Sequence, residues 1–299
     1  MVQNEDADYV YIYTLTSIET EADQNEVDST YGDDIPRLSV SFCTSAFEYE
    51  YEYGRRYHSF HAGAYKFPND EIEQARLNIS IELGDYCPSA TIIGNDLSPI
   101  QPRMLPPNVR FLVGDVEAEW IEPEPYDYIH CRSMAGSIKD WAKLFKQIFD
   151  NLKPGGWVEF QETANTVYSE DNTLGPDNAL VQLMNGLTKA CDEIGRTLNP
   201  TPSFQKWAQE VGFTSIKEQQ FKLPVGEWPK EERLKRIGLL FGTSLHIGVE
   251  GFTAKMFRET LGWSGAEVEI LNAKVRTASV CVDEQAISRY IVVTAQKPS

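Results

Sequence analysis

Residues 90–132 read ATIIGNDLSPIQPRMLPPNVRFLVGDVEAEWIEPEPYDYIHCR. Three short apolar runs stand in this stretch: ATIIGNDL (90–97), VRFLVGD (109–115) and YDYIHCR (126–132). Each has the length of a strand, and turn residues separate it from the next. The first two end on acids, Asp96 and Asp115. Downstream, IKDWAKLFKQIFDNL (138–152) sets Ile138, Trp141, Leu144, Phe145, Ile148, Phe149 and Leu152 at helical spacing. Lys153, Pro154, Gly155 and Gly156 stop that helix and turn the chain, and WVEFQE (157–162) reads as the next strand. Strands alternating with helices predict a doubly wound α/β fold, its sheet mostly parallel and covered on both faces.

Working outward, the C-terminal half reads mainly helical. SFQKWAQEVGF (203–213) predicts a helix closed by Gly212 and leading into a strand, TSIKEQQF (214–221). Helical patterns follow at 229–245, 253–262 and 264–276, and ISRYIVVTAQK (287–297) is β-rich. Helical inserts near 164–200 and 224–280 are expected to cap the sheet. In the N-terminal half, AFEYEYEYGRRYHSFHAG (45–62) alternates Tyr49, Tyr51 and Tyr53 with Glu48, Glu50 and Glu52. That period suits a strand, but Tyr49, Tyr53 and Tyr57 also fall four apart as on a helix face, and periodicity leaves both open. Pro68, Asn69 and Asp70 predict the start of a helix over DEIEQARLNISIEL (70–83).

The chain has 299 residues and a net charge of −18. Residues 1–36 hold ten acids and no Lys or Arg, and so supply −10 of that charge. Residues 1–44 therefore read as an acidic, solvated leader, and 45–299 as one domain without an internal linker. The leader is also a candidate docking segment for a basic protein partner. So acidic a chain repels phosphate backbones, which argues against nucleic-acid binding. Five scattered cysteines without CxxC spacing argue against a disulfide framework or a zinc site and fit a reducing compartment. No basic-then-apolar leader and no apolar run long enough to cross a bilayer is read, so no membrane association is expected.

Ligands of open parallel sheets bind beyond the carboxyl ends of the strands. Asp96, at the end of the first clear strand, can accept hydrogen bonds from both hydroxyls of a ribose. It can equally bond its own backbone in the turn NDLSP. Asp115 can take a hydrogen bond from an adenine amino group or close a strand-exit turn. His130 and Arg132 leave the third run. A histidine can serve as a general base near neutral pH, and an arginine can clamp a carboxylate. A buried histidine bonded to backbone is the competing reading. Glu159 and Glu162 face either the site or solvent. His58 and His61 lack a third ligand, so no metal site is read.

EYGRRYHSFHAGAYKFPNDEIEQARL (52–77), IIGNDLSPIQP (92–102), PPNVRFLVGDVEAEW (106–120), YDYIHCRSMAGSIKDW (126–141) and LKPGGWVEFQE (152–162) together resemble successive signatures of the LaeA-like fungal methyltransferases. GVEGFTAKMFRETLGW (248–263) extends the resemblance, which covers roughly residues 47–299. It implies a class I, Rossmann-like methyltransferase fold using S-adenosylmethionine. It makes Asp96 and Leu97 ribose neighbours, and Asp115 and Val116 adenine neighbours. Tyr53, Arg55, Arg56 and Tyr57 become parts of a lid whose aromatic faces suit a sulfonium. One departure stands out. Such domains begin with a strand entering a GxGxG-type loop that lets backbone approach the cofactor. Here ARLN (75–78) passes directly to ISIELGDYCPSATIIGNDL (79–97), and Gly84 and Gly94 stand alone. Without that strand the edges beside Asp96 would be exposed.

The expected function is methyl transfer to a small molecule of fungal secondary metabolism, with His130 as the candidate base. The alternative is a regulatory protein that keeps only the shell of the fold. An NAD-dependent oxidoreductase shares the sheet but needs a glycine fingerprint that is not present. Family resemblance leaves cytoplasm and nucleus both open.

Overall fold

The computed structural model describes residues 50–53, 55–57, 66–67, 89–97, 105–120, 124–172 and 174–299. The leader over 1–44 and the helix expected over 70–83 lie outside them. The Tyr/Glu repeat resolves as an antiparallel hairpin of β1 (Glu50–Glu52) and β2 (Arg55–Tyr57), turning at Tyr53 with φ 51°. Tyr57 is buried, while Tyr51 and Tyr53 are exposed.

β3 (Ile92–Asp96) and β4 (Val109–Val113) pair in parallel, with Asp96 opposite Val113. Gly94 is needed there, since a Cβ on it would lie 2.3 Å from a ring carbon of Phe111. The second sheet holds β5 (Tyr126–Arg132), β6 (Leu152–Tyr168), β7 (Thr214–Pro224) and β8 (Ile287–Gln296), in the order β5-β6-β8-β7. β5 and β6 run parallel, whereas β8 is antiparallel to both its neighbours, so the fold is α/β with a mixed sheet. Among the described residues no strand joins β3–β4 to β5, and residues 75–88, where the first strand and its glycine turn are expected to be missing, lie outside them.

One face of the larger sheet carries the first core. Val158, Phe160, Ile291, Val293 and Ala295 meet α1 (Trp141–Asn151) and α3 (Phe204–Val211). α1 forms because Asp140 caps it, its side chain accepting from Lys143 N, and because its apolar residues share one face. Phe145 stacks on Phe160 at 4.3 Å between centroids, and Phe204 lies 5.1 Å from Phe160. Such ring pairs add about 0.5–1.5 kcal/mol each beyond the area they bury. Gly212 closes α3 at φ 102°, as its sequence position predicts.

β6 is longer than WVEFQE suggests. It begins at Leu152, so the turn expected at 153–156 lies within it, and Gly155 (φ 77°) donates its N–H to Lys297 O at 3.0 Å. It continues to Tyr168 because residues 163–168 still have β8 to pair with.

That extension carries the helical cap. α2 (Ala179–Glu193), α4 (Glu232–Lys255), a π-helical turn (Met256–Thr260) and α5 (Gly265–Ala278) bury the second core, which includes Leu183, Leu187, Val249, Phe257, Leu271 and Val275. The two patterns read at 229–245 and 253–262 form one continuous helix plus its π turn. Gly238 and Gly242 lie against neighbouring backbone instead of ending the helix. A Cβ on Gly238 would sit 2.0 Å from Gly226 O, and one on Gly242 would sit 2.3 Å from Ser279 O. A capping box of Ser264 and Glu267 starts α5.

Candidate active site at the strand exits

The exits of β3 and β4 lie side by side. Gly114 N donates to Asp96 O at 2.9 Å, which fixes the spacing of the two acidic ends. Asp96 and Leu97 are half-buried. Asp115 closes its own turn: Oδ1 accepts from Glu117 N at 2.8 Å, and its carbonyl accepts from Ala118 N at 3.0 Å. Val116 O takes Trp120 Nε1 at 2.9 Å and Gln147 Nε2 at 3.0 Å, pinning this turn to α1. Glu117 completes the clamp. Its Oε1 accepts from Lys139 N and Asp140 N at 3.0 and 2.8 Å, and its Oε2 lies 3.7 Å from Arg196 Nη1. A groove of about 410 Å³ opens beside this clamp, lined in part by Lys139, Asp140, Trp141, Arg196 and Trp207.

His130 and Arg132 lie within β5, two residues apart, so both leave its face on the same side. His130 stands directly opposite Glu159 on β6. Its Nδ1 is 3.5 Å from Glu159 Oε1 and 3.4 Å from the Tyr128 hydroxyl. Its Nε2 is buried with no hydrogen-bond partner. The network runs on: Gln161 Nε2 donates to Glu159 Oε1 at 2.5 Å, and the Tyr290 hydroxyl donates to Gln161 Oε1 at 2.7 Å. The hydrogen bond from His130 is the main cause that holds the Glu159 carboxyl below its usual range, with Gln161 contributing against the opposing effect of burial.

Beyond Arg132 the chain turns through Ser133 (φ 55°) and Gly136 (φ 75°). Glu162, 3% exposed, lies beneath this turn, and its Oε1 accepts from the backbone N–H groups of both Met134 and Ala135. Desolvation pushes the Glu162 carboxyl up to about 8, against the opposing pull of those two N–H groups and of Arg132. The Cys131 thiol beside it is pushed up to about 12, mainly by burial.

The hairpin is seated on the cap. Lys255 Nζ lies 3.9 Å from the Tyr57 ring centroid and 2.8 Å from Glu52 Oε2, and Arg258 Cζ lies 5.0 Å from the Tyr53 ring. The aromatic faces expected to meet a sulfonium thus meet cations of the cap in the described contacts. Arg56 pairs across the hairpin with Tyr51.

The structure therefore brings Asp96, Leu97, Asp115 and Val116 together, joins His130 to Glu159, and places Tyr57 against Lys255. Two acidic exits on adjacent parallel strands fit the nucleoside half of S-adenosylmethionine, one for the ribose and one for the adenine. For the methionine half, neither the sequence nor the described residues supply the glycine turn. Sequence reasoning left Glu159 and Glu162 undecided and did not find Glu117 or Arg196. The two-residue spacing of His130 and Arg132, matched by that of Glu159 and Gln161 on the paired strand, was the available signal for a polar sheet face.

Comparison with known proteins finds relatives among fungal methyltransferases. The signature described as a methyltransferase domain matches residues 78–218. Methyltransferase pytC of Aspergillus terreus is 46% identical, over 89% of this chain and 94% of its own length. The secondary metabolism regulator LAE1 of Cochliobolus heterostrophus is 29% identical, over 83% and 94%. The probable methyltransferase tdiE of Emericella nidulans is 30% identical, over 71% and 67%. With identity to pytC at this level along nearly the whole of both chains, the protein belongs to the family of fungal methyltransferases that includes pytC and tdiE, whose cofactor is S-adenosylmethionine.

Proposed function

We propose that this chain transfers a methyl group from S-adenosylmethionine to a small molecule of fungal secondary metabolism, in the cytoplasm or the nucleus. The observation that carries the reading is the pair of acidic exits, Asp96 and Asp115, fixed side by side by the Gly114–Asp96 hydrogen bond. Asp96 accepts the ribose hydroxyls, and Asp115 with Val116 orients the adenine. The bound cofactor supplies the activated methyl group. His130 is the base: its unpaired Nε2 takes the acceptor's proton, while Nδ1–H donates to Glu159, which stabilises the charge that develops. Arg132 orients the acceptor. Tyr57 and Arg56 belong to a hairpin that closes the site from the cap side.

A second reading has its own support. The sheet is in two parts among the described residues, and a related chain is named as a regulator. On that reading the protein is a regulatory shell, and the acidic leader binds a basic partner.

Isothermal titration with S-adenosylmethionine and S-adenosylhomocysteine separates the two. The methyltransferase reading expects micromolar affinity, about −8 kcal/mol, and at least a tenfold loss in Asp96→Ala. A folded chain that binds neither compound would leave the regulatory reading.

A further inference from the structure

The turn after β5 has the form of an anion nest. Two residues at positive φ, Ser133 and Gly136, curl successive backbone N–H groups inward, an arrangement that commonly cradles phosphate or carboxylate ligands. In this protein every N–H from 133 to 137 already has a partner. Ser133 N donates to Gln161 O at 3.0 Å, Gly136 N to Thr197 O at 2.9 Å and Ser137 N to Met134 O at 2.9 Å. The two central donors, Met134 N and Ala135 N, share Glu162 Oε1. Glu162 reaches them from β6, 28 residues further along the chain. Arg196 closes the other end of the turn by donating from Nη1 to Ser137 O.

We propose that Glu162 is a built-in occupant of this nest: its side chain takes the place of an external anion and thereby positions the wall of the active site beyond β5. With no backbone N–H left between 133 and 137, the backbone of this wall offers no donor to a carboxylate or a phosphate. The group that lies against it is therefore a hydrogen-bond donor or a cation, such as a hydroxyl, an amine or a sulfonium. This statement of ligand class rests on the methyltransferase reading, whereas the occupancy of the nest does not.

Glu162→Ala empties the nest and leaves room for a small carboxylate. In that variant, amide hydrogen exchange at Met134 and Ala135 should quicken at least tenfold. Exchange at Gly136, which is held by Thr197, should change far less. Millimolar acetate should then slow exchange at the two amides and raise the melting temperature, with no such response from the wild-type chain. Equal acetate responses in variant and wild type, or unchanged exchange at Met134 and Ala135, would overturn the proposal.

Should Glu162→Ala fail to fold, Glu162→Asp and Glu162→Gln decide the question. Asp keeps the carboxyl but is one methylene too short, so exchange at the two amides should quicken. Gln keeps the reach and one acceptor oxygen, so protection should stay within about threefold. The reverse ranking would refute a positioning role. These readings need no cofactor, so they stand even if titration with S-adenosylmethionine shows no binding. If it does bind, Glu162→Asp should weaken it severalfold while Glu162→Gln leaves it near wild type. A wild-type protein that prefers carboxylate or phosphate acceptors would refute the ligand class alone.

Discussion

Glu162 and Glu159 lie three residues apart on β6 and meet opposite fates. Glu159 shares a polar face with His130 and Gln161, and its hydrogen bonds favour the ionised form. Glu162 points into the core side of the sheet and stays protonated to about pH 8. A carboxyl whose folded pKa is raised keeps its proton in the native state after the unfolded chain has lost it, so its contribution to stability falls as pH rises from about 4.5 to about 8. Glu162→Gln removes that loss. The variant should match wild type in thermal melts near pH 5 and exceed it by several degrees at pH 8. A gap that does not widen with pH would count against a neutral, buried carboxyl. For the base, His130→Gln should lower kcat at least a hundredfold with little change in cofactor affinity. Equal losses in both would assign His130 to binding. The strand bearing these residues was legible because alternation fixes which side chains share a face. The role of Glu162 was not, because it depends on a turn that folds back from another strand.

Among the elements, the strands after residue 90 and helix α1 were readable from period and caps, and the ends of β6 and α4 were not. β6 continues only because a strand more than a hundred residues away pairs with its second half. α4 runs through its glycines because close packing against Gly226 and Ser279 stabilises positions that propensity disfavours. That packing makes Gly242 intolerant of a methyl group. Gly242→Ala should lower the melting temperature by several degrees, since the obstructing atom is a backbone carbonyl. Gly265→Ala, whose Cβ would meet only the Arg258 guanidinium at 3.6 Å, should leave it nearly unchanged. Similar effects in chemical or thermal melts would mean the glycines act through helix propensity alone.

At the scale of the molecule, two cores, one between the sheet and α1 and α3 and one inside the cap, are bridged by the extended β6 and β8. The leader lies outside the described residues. Removing residues 1–36 takes the net charge from −18 to −8 and touches no described element. The shortened chain should melt within about 2 °C of the full one, a small shift for a domain of this size. A larger drop would place the leader within the fold. The family and the α/β class could be read from ordered motifs, whereas the division of the sheet into two parts could be read only as a missing segment, since pairing is decided in three dimensions.

β8 lies between β6 and β7 in the sheet and follows both in the sequence. Synthesis proceeds from the N-terminus, so the strand that completes the sheet leaves the ribosome after both of its neighbours. Until then β6 and β7 wait with bare edges, and their partner contacts span long stretches of sequence, a pattern that slows folding and exposes nascent chains to aggregation. A premature stop just ahead of Ile287 would thus be far more damaging than the length of β8 suggests. It would leave a polypeptide that cannot close its own sheet and that depends on chaperones or is degraded.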